Sequence, residues 1–130
     1  HGVLAADRMA KPFVYVRPKP KDHGTGSQIE GELPAGKKVV VIEDLISTGM
    51  SSLAAVKALR DAGAEVLGMV AIFTYGFDIA AQRFAEDNVK LTTLSNYSAL
   101  VETASETGYI SPEAKDLLHE WRKNPSEWGI

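Results

Sequence analysis

Residues 39–42 read Val-Val-Val-Ile, with no polar position between the Pro34-Ala35-Gly36 turn plus two lysines and the acid pair Glu43-Asp44. An apolar run without alternation predicts a strand buried on both faces, the hallmark of a parallel sheet covered by helices. Parallel neighbours need long crossover connections, so the remaining chain must supply helices. Residues 50–62 are helix-forming. Lys57, Arg60 and Asp61 fall on one narrow stripe and the rest is apolar, so this helix is expected to be mostly buried, with Gly63 as its C′ residue. A second strand is read over 66–73, a helix over 78–87 with Ala81 and Phe84 on one side, and a third strand over 89–94. Ser95 or Asn96 caps the next helix, whose inward face is read as Leu100, Val101 and Ala104. Ser111-Pro112-Glu113 opens the last helix with proline at its first position; Leu117, Leu118 and Trp121 form its apolar face, and Trp128 is a candidate anchor for the tail. Upstream, residues 3–10 read as the body of a helix without its start, and 13–16 as a short strand. The order α-β-loop-β-α-β-α-β-α-α predicts an α/β fold with a parallel sheet flanked by helices.

Length and composition fit one globular domain: 130 residues, 45% hydrophobic and 24% charged. The absence of cysteine excludes disulfides, thiolate nucleophiles and cysteine-based zinc sites. A net charge of −3 supplies no global field for holding nucleic acid. No apolar run reaches the roughly 18 residues of a membrane-spanning helix, and no secretory signal pattern opens the chain. A cytoplasmic setting is expected.

The informative stretch is VVVIEDLISTGMSS, residues 39–52. A buried strand delivers two adjacent carboxylates, Glu43 and Asp44, to its C-terminal end, where open α/β sheets bind ligands. Small hydroxyl residues and a glycine follow, and then a helix begins. Its first turn offers unsatisfied N–H groups and a partial positive charge. Ser47, Thr48 and Ser51 can add donors, and Gly49 allows close backbone approach. Such a loop is a phosphate cradle. Acids beside it suit the hydroxyls of a polyol phosphate, reached directly or through waters of Mg²⁺. Taken singly, an acid pair after a strand is more often a solvated turn, and Ser/Thr-Gly a plain helix cap. The combination on a Val-Val-Val-Ile strand favours the functional reading. Neither a Walker loop nor a Gly-x-Gly-x-x-Gly turn is present.

A second stretch, residues 17–36, is rich in Lys, Pro and Gly and reads as one long loop. Arg17, Lys19, Lys21 and His23 concentrate positive charge on it. A mobile cationic loop suits a diphosphate leaving group: it can close, exclude water and stabilise charge as a C–O bond breaks. The plainer reading is a solvated basic hairpin.

VVVIEDLISTG resembles the phosphoribosyl diphosphate (PRPP) signature of type I phosphoribosyltransferases: hydrophobic strand, two acids, two residues, Ser/Thr, any residue, Gly. YVRPKPKDHGTG resembles the catalytic loop of the bacterial orotate phosphoribosyltransferase family, in its Bacillus-like branch, and the likeness runs on through IFTYGF, LSNYSAL and EWRKNP. The resemblance implies a type I phosphoribosyltransferase (Rossmann-like) core over residues 1–130 with 17–36 as its mobile catalytic loop. The implied reaction joins orotate to PRPP, giving orotidine 5′-monophosphate and diphosphate with Mg²⁺. By matching position, Arg17, Lys21 and His23 contact the diphosphate, with Lys21 as the catalytic lysine. Glu43 and Asp44 hold the ribose hydroxyls, with Mg²⁺ nearby through PRPP and water. Leu45, Ile46, Ser47, Thr48, Gly49, Met50 and Ser51 complete the PRPP site, and Ser47 also lies near orotate. A homodimer whose loop closes over the partner's site is implied as well.

The sequence departs from this pattern at Pro18, where some relatives have a second lysine, and at Thr74-Tyr75-Gly76, where some carry an orotate-binding arginine. Family members also have a further N-terminal part holding the hood over the base and a diphosphate-binding loop. An N-terminally truncated chain, weak or inactive in isolation, is therefore expected. Two alternatives use the same fold: a phosphoribosyltransferase for another base, against which the Lys21-containing loop argues, and a non-catalytic PRPP-binding regulator. A core that no longer binds ligand is a third possibility.

Overall fold

A computed structural model describes residues 1–19 and 28–128. Its elements are α1 (Gly2–Arg8), β1 (Tyr15–Val16), β2 (Ile29–Glu30), β3 (Lys38–Ile46), α2 (Met50–Asp61), β4 (Glu65–Thr74), α3 (Asp78–Glu86), β5 (Leu91–Asn96), α4 (Tyr97–Glu106) and α5 (Pro112–Lys123), followed by a short 3₁₀ turn. Strands β3, β4 and β5 form a parallel sheet in that order, and β1 and β2 form a separate antiparallel pair. The α/β expectation holds. The stretch read as one loop over 17–36 contains β2, paired back onto β1 through Tyr15 with Glu30 and Val16 with Ile29.

Because β3, β4 and β5 succeed one another in one direction, both crossovers of the usual right hand place α2 and α3 on the same face. The core lies between that face and these helices: Ile46, Leu53, Val56, Met69, Ala71, Ala80, Phe84 and Val89 are buried together, with Val41, Val66 and Leu91 packed against them. The opposite face is bare over much of its area. Val40 is 50% exposed and Ile42 39%, so the both-face burial expected for the Val-Val-Val-Ile run is corrected to one face. On that side α1 lies near Ile42.

Three helix readings are also corrected. Helix α2 buries one stripe, Ser52, Leu53, Val56 and Leu59, while Met50 and Ala54 face solvent; small alanines made its apolar arc look wider than it is. On α3 the buried alanine is Ala80, not Ala81. On α4 the buried pair is Tyr97 and Val101, one turn apart, and Leu100 is 55% exposed. The capping readings hold: Asn96 Oδ1 accepts from the Ala99 N–H at 2.9 Å, and Ser111 Oγ accepts from the Ala114 N–H at 3.1 Å ahead of Pro112. No helix among the described residues is long and apolar enough to cross a membrane.

Candidate active site

The acid pair does not end β3. The strand continues through Leu45 and Ile46, which pair with Phe73 and Thr74 at the end of β4. Charged residues are tolerated there because the ladder uses backbone groups only, and because the Glu43 carboxylate has partners of its own. Glu43 Oε2 accepts from Ser52 Oγ at 2.9 Å, and Oε1 accepts from the Asp44 N–H at 3.1 Å. Ser52 is 3% exposed, and its hydroxyl ties the first turn of α2 to the acid on β3. Asp44 is exposed, and its Oδ1 accepts from the Leu45 N–H at 2.7 Å. Hydrogen bonding with the Glu43 carboxyl, reinforced by that N–H, holds the Asp44 carboxyl below its ordinary value of 3.8. Asp44 is therefore ionised and outward-facing at neutral pH, ready to accept hydrogen bonds.

Ile46 is fully buried, and its carbonyl accepts from the Tyr75 N–H at 3.2 Å. Its side chain anchors the loop from below. Ser47 is exposed and Thr48 half-buried. Gly49 is buried with φ of 83° and ψ of 0°, and stands at the N-cap of α2. A Cβ at this position would lie 2.9 Å from Phe84 Cε2, so a glycine is required both by the left-handed backbone and by α3 behind it. Among the described residues no side chain caps α2, and its first-turn N–H groups can serve an external acceptor. Behind the loop, Arg83 Nη1 donates to the Thr48 carbonyl at 3.1 Å.

The sequence-identified residues Glu43, Asp44, Leu45, Ile46, Ser47, Thr48, Gly49, Met50 and Ser51 thus share one strand–loop–helix junction at the C-terminal edge of the sheet. Arg17 follows β1 in the β1–β2 pair, where its Nε donates to Glu30 Oε1 at 2.7 Å and its backbone N–H to the Gln28 carbonyl at 2.7 Å. Lys21 and His23 lie outside the described residues. Two residues to which sequence reasoning gave no role belong to the junction, Ser52 and Arg83. For Ser52 the signal was its place in the first turn of a helix that packs back on the acid-bearing strand; for Arg83 there was none. Beyond the site, Tyr75, Phe77, Tyr97 and Trp121 form an aromatic cluster in which Tyr75 and Phe77 stack at 5.2 Å. It borders an open apolar hollow of about 340 Å³ lined also by Leu117, Leu118 and Trp128.

An acid pair near the end of a parallel strand, followed by a glycine turn and the start of a helix, gathers the distinctive polar chemistry of this α/β domain at the C-terminal edge of its sheet. Residues 3–106 match the family described as phosphoribosyl transferase domain, and the chain belongs to that family. It is 58% identical to the orotate phosphoribosyltransferase of Porphyromonas gingivalis over 129 residues, which is 99% of this chain and 61% of that one. It is 54% identical to that of Lactococcus lactis subsp. cremoris over 128 residues, 98% of this chain and 61% of the relative. The chain therefore spans about three-fifths of the length of these curated relatives. Among solved structures, the orotate phosphoribosyltransferase of Aeropyrum pernix superposes with a TM-score of 0.70 at 33% identity, covering 84% of this chain and 59% of that one. The Mycobacterium tuberculosis orotate phosphoribosyltransferase in complex with PRPP superposes at 0.56 and 28% identity, covering 73% and 56%.

Proposed function

We propose that this chain forms the PRPP-holding core of an orotate phosphoribosyltransferase, which transfers the 5-phosphoribosyl group from PRPP to orotate and releases orotidine 5′-monophosphate and diphosphate, a step of pyrimidine synthesis. The observation that carries this reading is the junction of β3 and α2, where Glu43, Asp44 and the uncapped helix start stand within ten residues of one another. The names of the relatives and the PRPP complex of the Mycobacterium protein support it.

In this reading the 5′-phosphate sits on the loop from Ser47 to Ser51, against backbone N–H groups and hydroxyls. Asp44 and Glu43 accept hydrogen bonds from the ribose hydroxyls. Glu43 arrives pre-oriented by its two tethers, so little ordering cost remains at binding. Ser47 lies near orotate. Arg17, Lys21 and His23 meet the diphosphate, with Lys21 as the catalytic lysine. Arg17 gives up Glu30 for the diphosphate when it does so. Catalysis rests on positioning and on charge stabilisation at an oxocarbenium-like ribose.

Mg²⁺ is part of this proposal. Among the described residues no three acidic or imidazole groups converge to hold a metal directly. A single outward Asp44 beside a tethered Glu43 suits an ion carried on PRPP oxygens and reached through water. When bound it neutralises charge on the diphosphate. The active protein is proposed to be a cytoplasmic homodimer with the 17–36 segment shared between sites.

Isothermal titration with PRPP and Mg²⁺ tests the site. Binding by the native sequence that is lost in Asp44→Asn supports it. Equal binding by both sinks the assignment of the acid pair. The 130-residue chain alone is expected to form orotidylate weakly or not at all, and turnover comparable to that of the full-length relatives would contradict that.

A further inference from the structure

Arg83 stands in the last turn of α3, and its Nη1 donates to the Thr48 carbonyl at 3.1 Å. No carboxylate among the described residues pairs with its guanidinium. The next residue, Phe84, is 4% exposed and lies directly behind Gly49. Two neighbouring side chains of α3 therefore back two neighbouring residues of the loop, one by hydrogen bond and one by packing.

The peptide linking Thr48 to Gly49 makes the consequence specific. In a trans peptide the C=O and the following N–H point in opposite directions. A carbonyl drawn toward Arg83 turns the Gly49 N–H to the side away from α3. That group then has an orientation set before any ligand arrives. The guanidinium, which has no salt-bridge partner among the described residues, also brings positive charge to the rear of a loop that has to attract an anion.

We propose that Arg83 is a positioning residue of the phosphate-binding loop: through the Thr48 carbonyl it fixes the Gly49 N–H toward the ligand side, and its unpaired charge strengthens the loop's hold on a phosphate monoester. This rests on the reading of the loop as the 5′-phosphate site. Arg83 touches no reacting atom. Its role is distinct from that of Ser52, which orients the acid that meets the ribose.

The test titrates the chain with ribose 5-phosphate and follows the Gly49 amide by ¹⁵N–¹H NMR alongside Arg83→Met and Arg83→Lys. The native sequence is expected to bind, with a displaced Gly49 cross-peak. Arg83→Met is expected to bind about tenfold more weakly, the scale of a lost bond to a charged donor, and to lose the ligand-induced Gly49 displacement. Arg83→Lys, which restores charge and a single donor, is expected to return to within about threefold of native affinity and to regain that displacement. An Arg83 serving only to pin α3 would lower thermal stability and leave the ligand-induced Gly49 displacement intact. Native-like affinity and Gly49 response in a folded Arg83→Met overturn the inference while leaving the loop as the phosphate site. Absence of ribose 5-phosphate binding by the native chain overturns the loop reading itself. Should Arg83→Met fail to fold, a folded Arg83→Lys decides: a retained Gly49 response with affinity near native supports the proposal, and loss of both defeats it.

Discussion

Replacing Gly49 by alanine separates two energies that meet at one atom. The backbone there has φ of 83°, a left-handed conformation that costs an L-residue roughly 1–2 kcal/mol. The added Cβ would also stand 2.9 Å from Phe84 Cε2 and 3.4 Å from Cδ2. Phe84 is 4% exposed in the core and has little room to retreat, so overpacking adds about 1–3 kcal/mol. Alanine restricts the unfolded chain and returns about 0.4–1 kcal/mol. The net loss is then roughly 2–4 kcal/mol, a large share of the stability of a domain this size. At about 3–5 °C per kcal/mol, between the values for smaller and larger domains, the midpoint falls by on the order of 10 °C. Differential scanning calorimetry on Gly49→Ala, Phe84→Leu and the double variant checks both parts. The double variant is expected to be more stable than the sum of the single losses implies, by the steric part alone. A Gly49→Ala midpoint within about 2 °C of native would refute the reasoning. Full recovery by Phe84→Leu would refute the dihedral part.

Ser52→Ala removes a hydroxyl bond to a half-buried carboxylate and is expected to cost about 1–2 kcal/mol by urea unfolding, with the loss vanishing in a Glu43→Leu background; an undiminished loss in that background shows that Ser52 acts through something else. The Asp44 carboxyl, held below 3.8 by its hydrogen bonding with Glu43 and then by the Leu45 N–H, contributes stability that is present above pH 3.8 and disappears as pH falls through its lower folded value. Carboxyl ¹³C titration that places Asp44 at or above 3.8 contradicts that geometry. Burial raises the Tyr97 phenol above 10.0 although Arg122 opposes it, and the phenol donates to the Leu118 carbonyl at 3.1 Å. That contribution is complete below pH 10 and declines as pH rises through the raised value, so ultraviolet titration should show a phenolate step above 10.0 that disappears in Tyr97→Phe.

The junction at residues 43–51 was legible in sequence because all its parts are local: strand, acids, hydroxyls, glycine and helix follow one another within a single crossover. Capping by Asn96 and Ser111 was legible for the same reason. The misreadings come from information that local pattern does not hold. Ala80 and Ala81 are equally small, and about 100° of helix rotation separates the buried one from the exposed one. The acids looked like the end of β3 because their charge suggests solvent, yet backbone pairing with β4 carries the strand to Ile46. The bare face of Val40 and Ile42 reflects which elements stand beside the sheet, a property that no run of aliphatic residues encodes. The contact of Arg83 with Thr48 spans 35 residues and depends on how α3 docks.

That span has a consequence for the order of assembly. The acid pair and the helix start belong to the first crossover and can form from contacts close in sequence. The brace on Thr48 and Gly49 appears only when the second crossover has brought α3 home. On the proposed reading of the loop as a phosphate site, a phosphate ester would then discriminate between chains at different stages of maturation, binding weakly to those with the junction alone and firmly to those with α3 in place. By mass action, such an ester would draw late intermediates toward the finished domain.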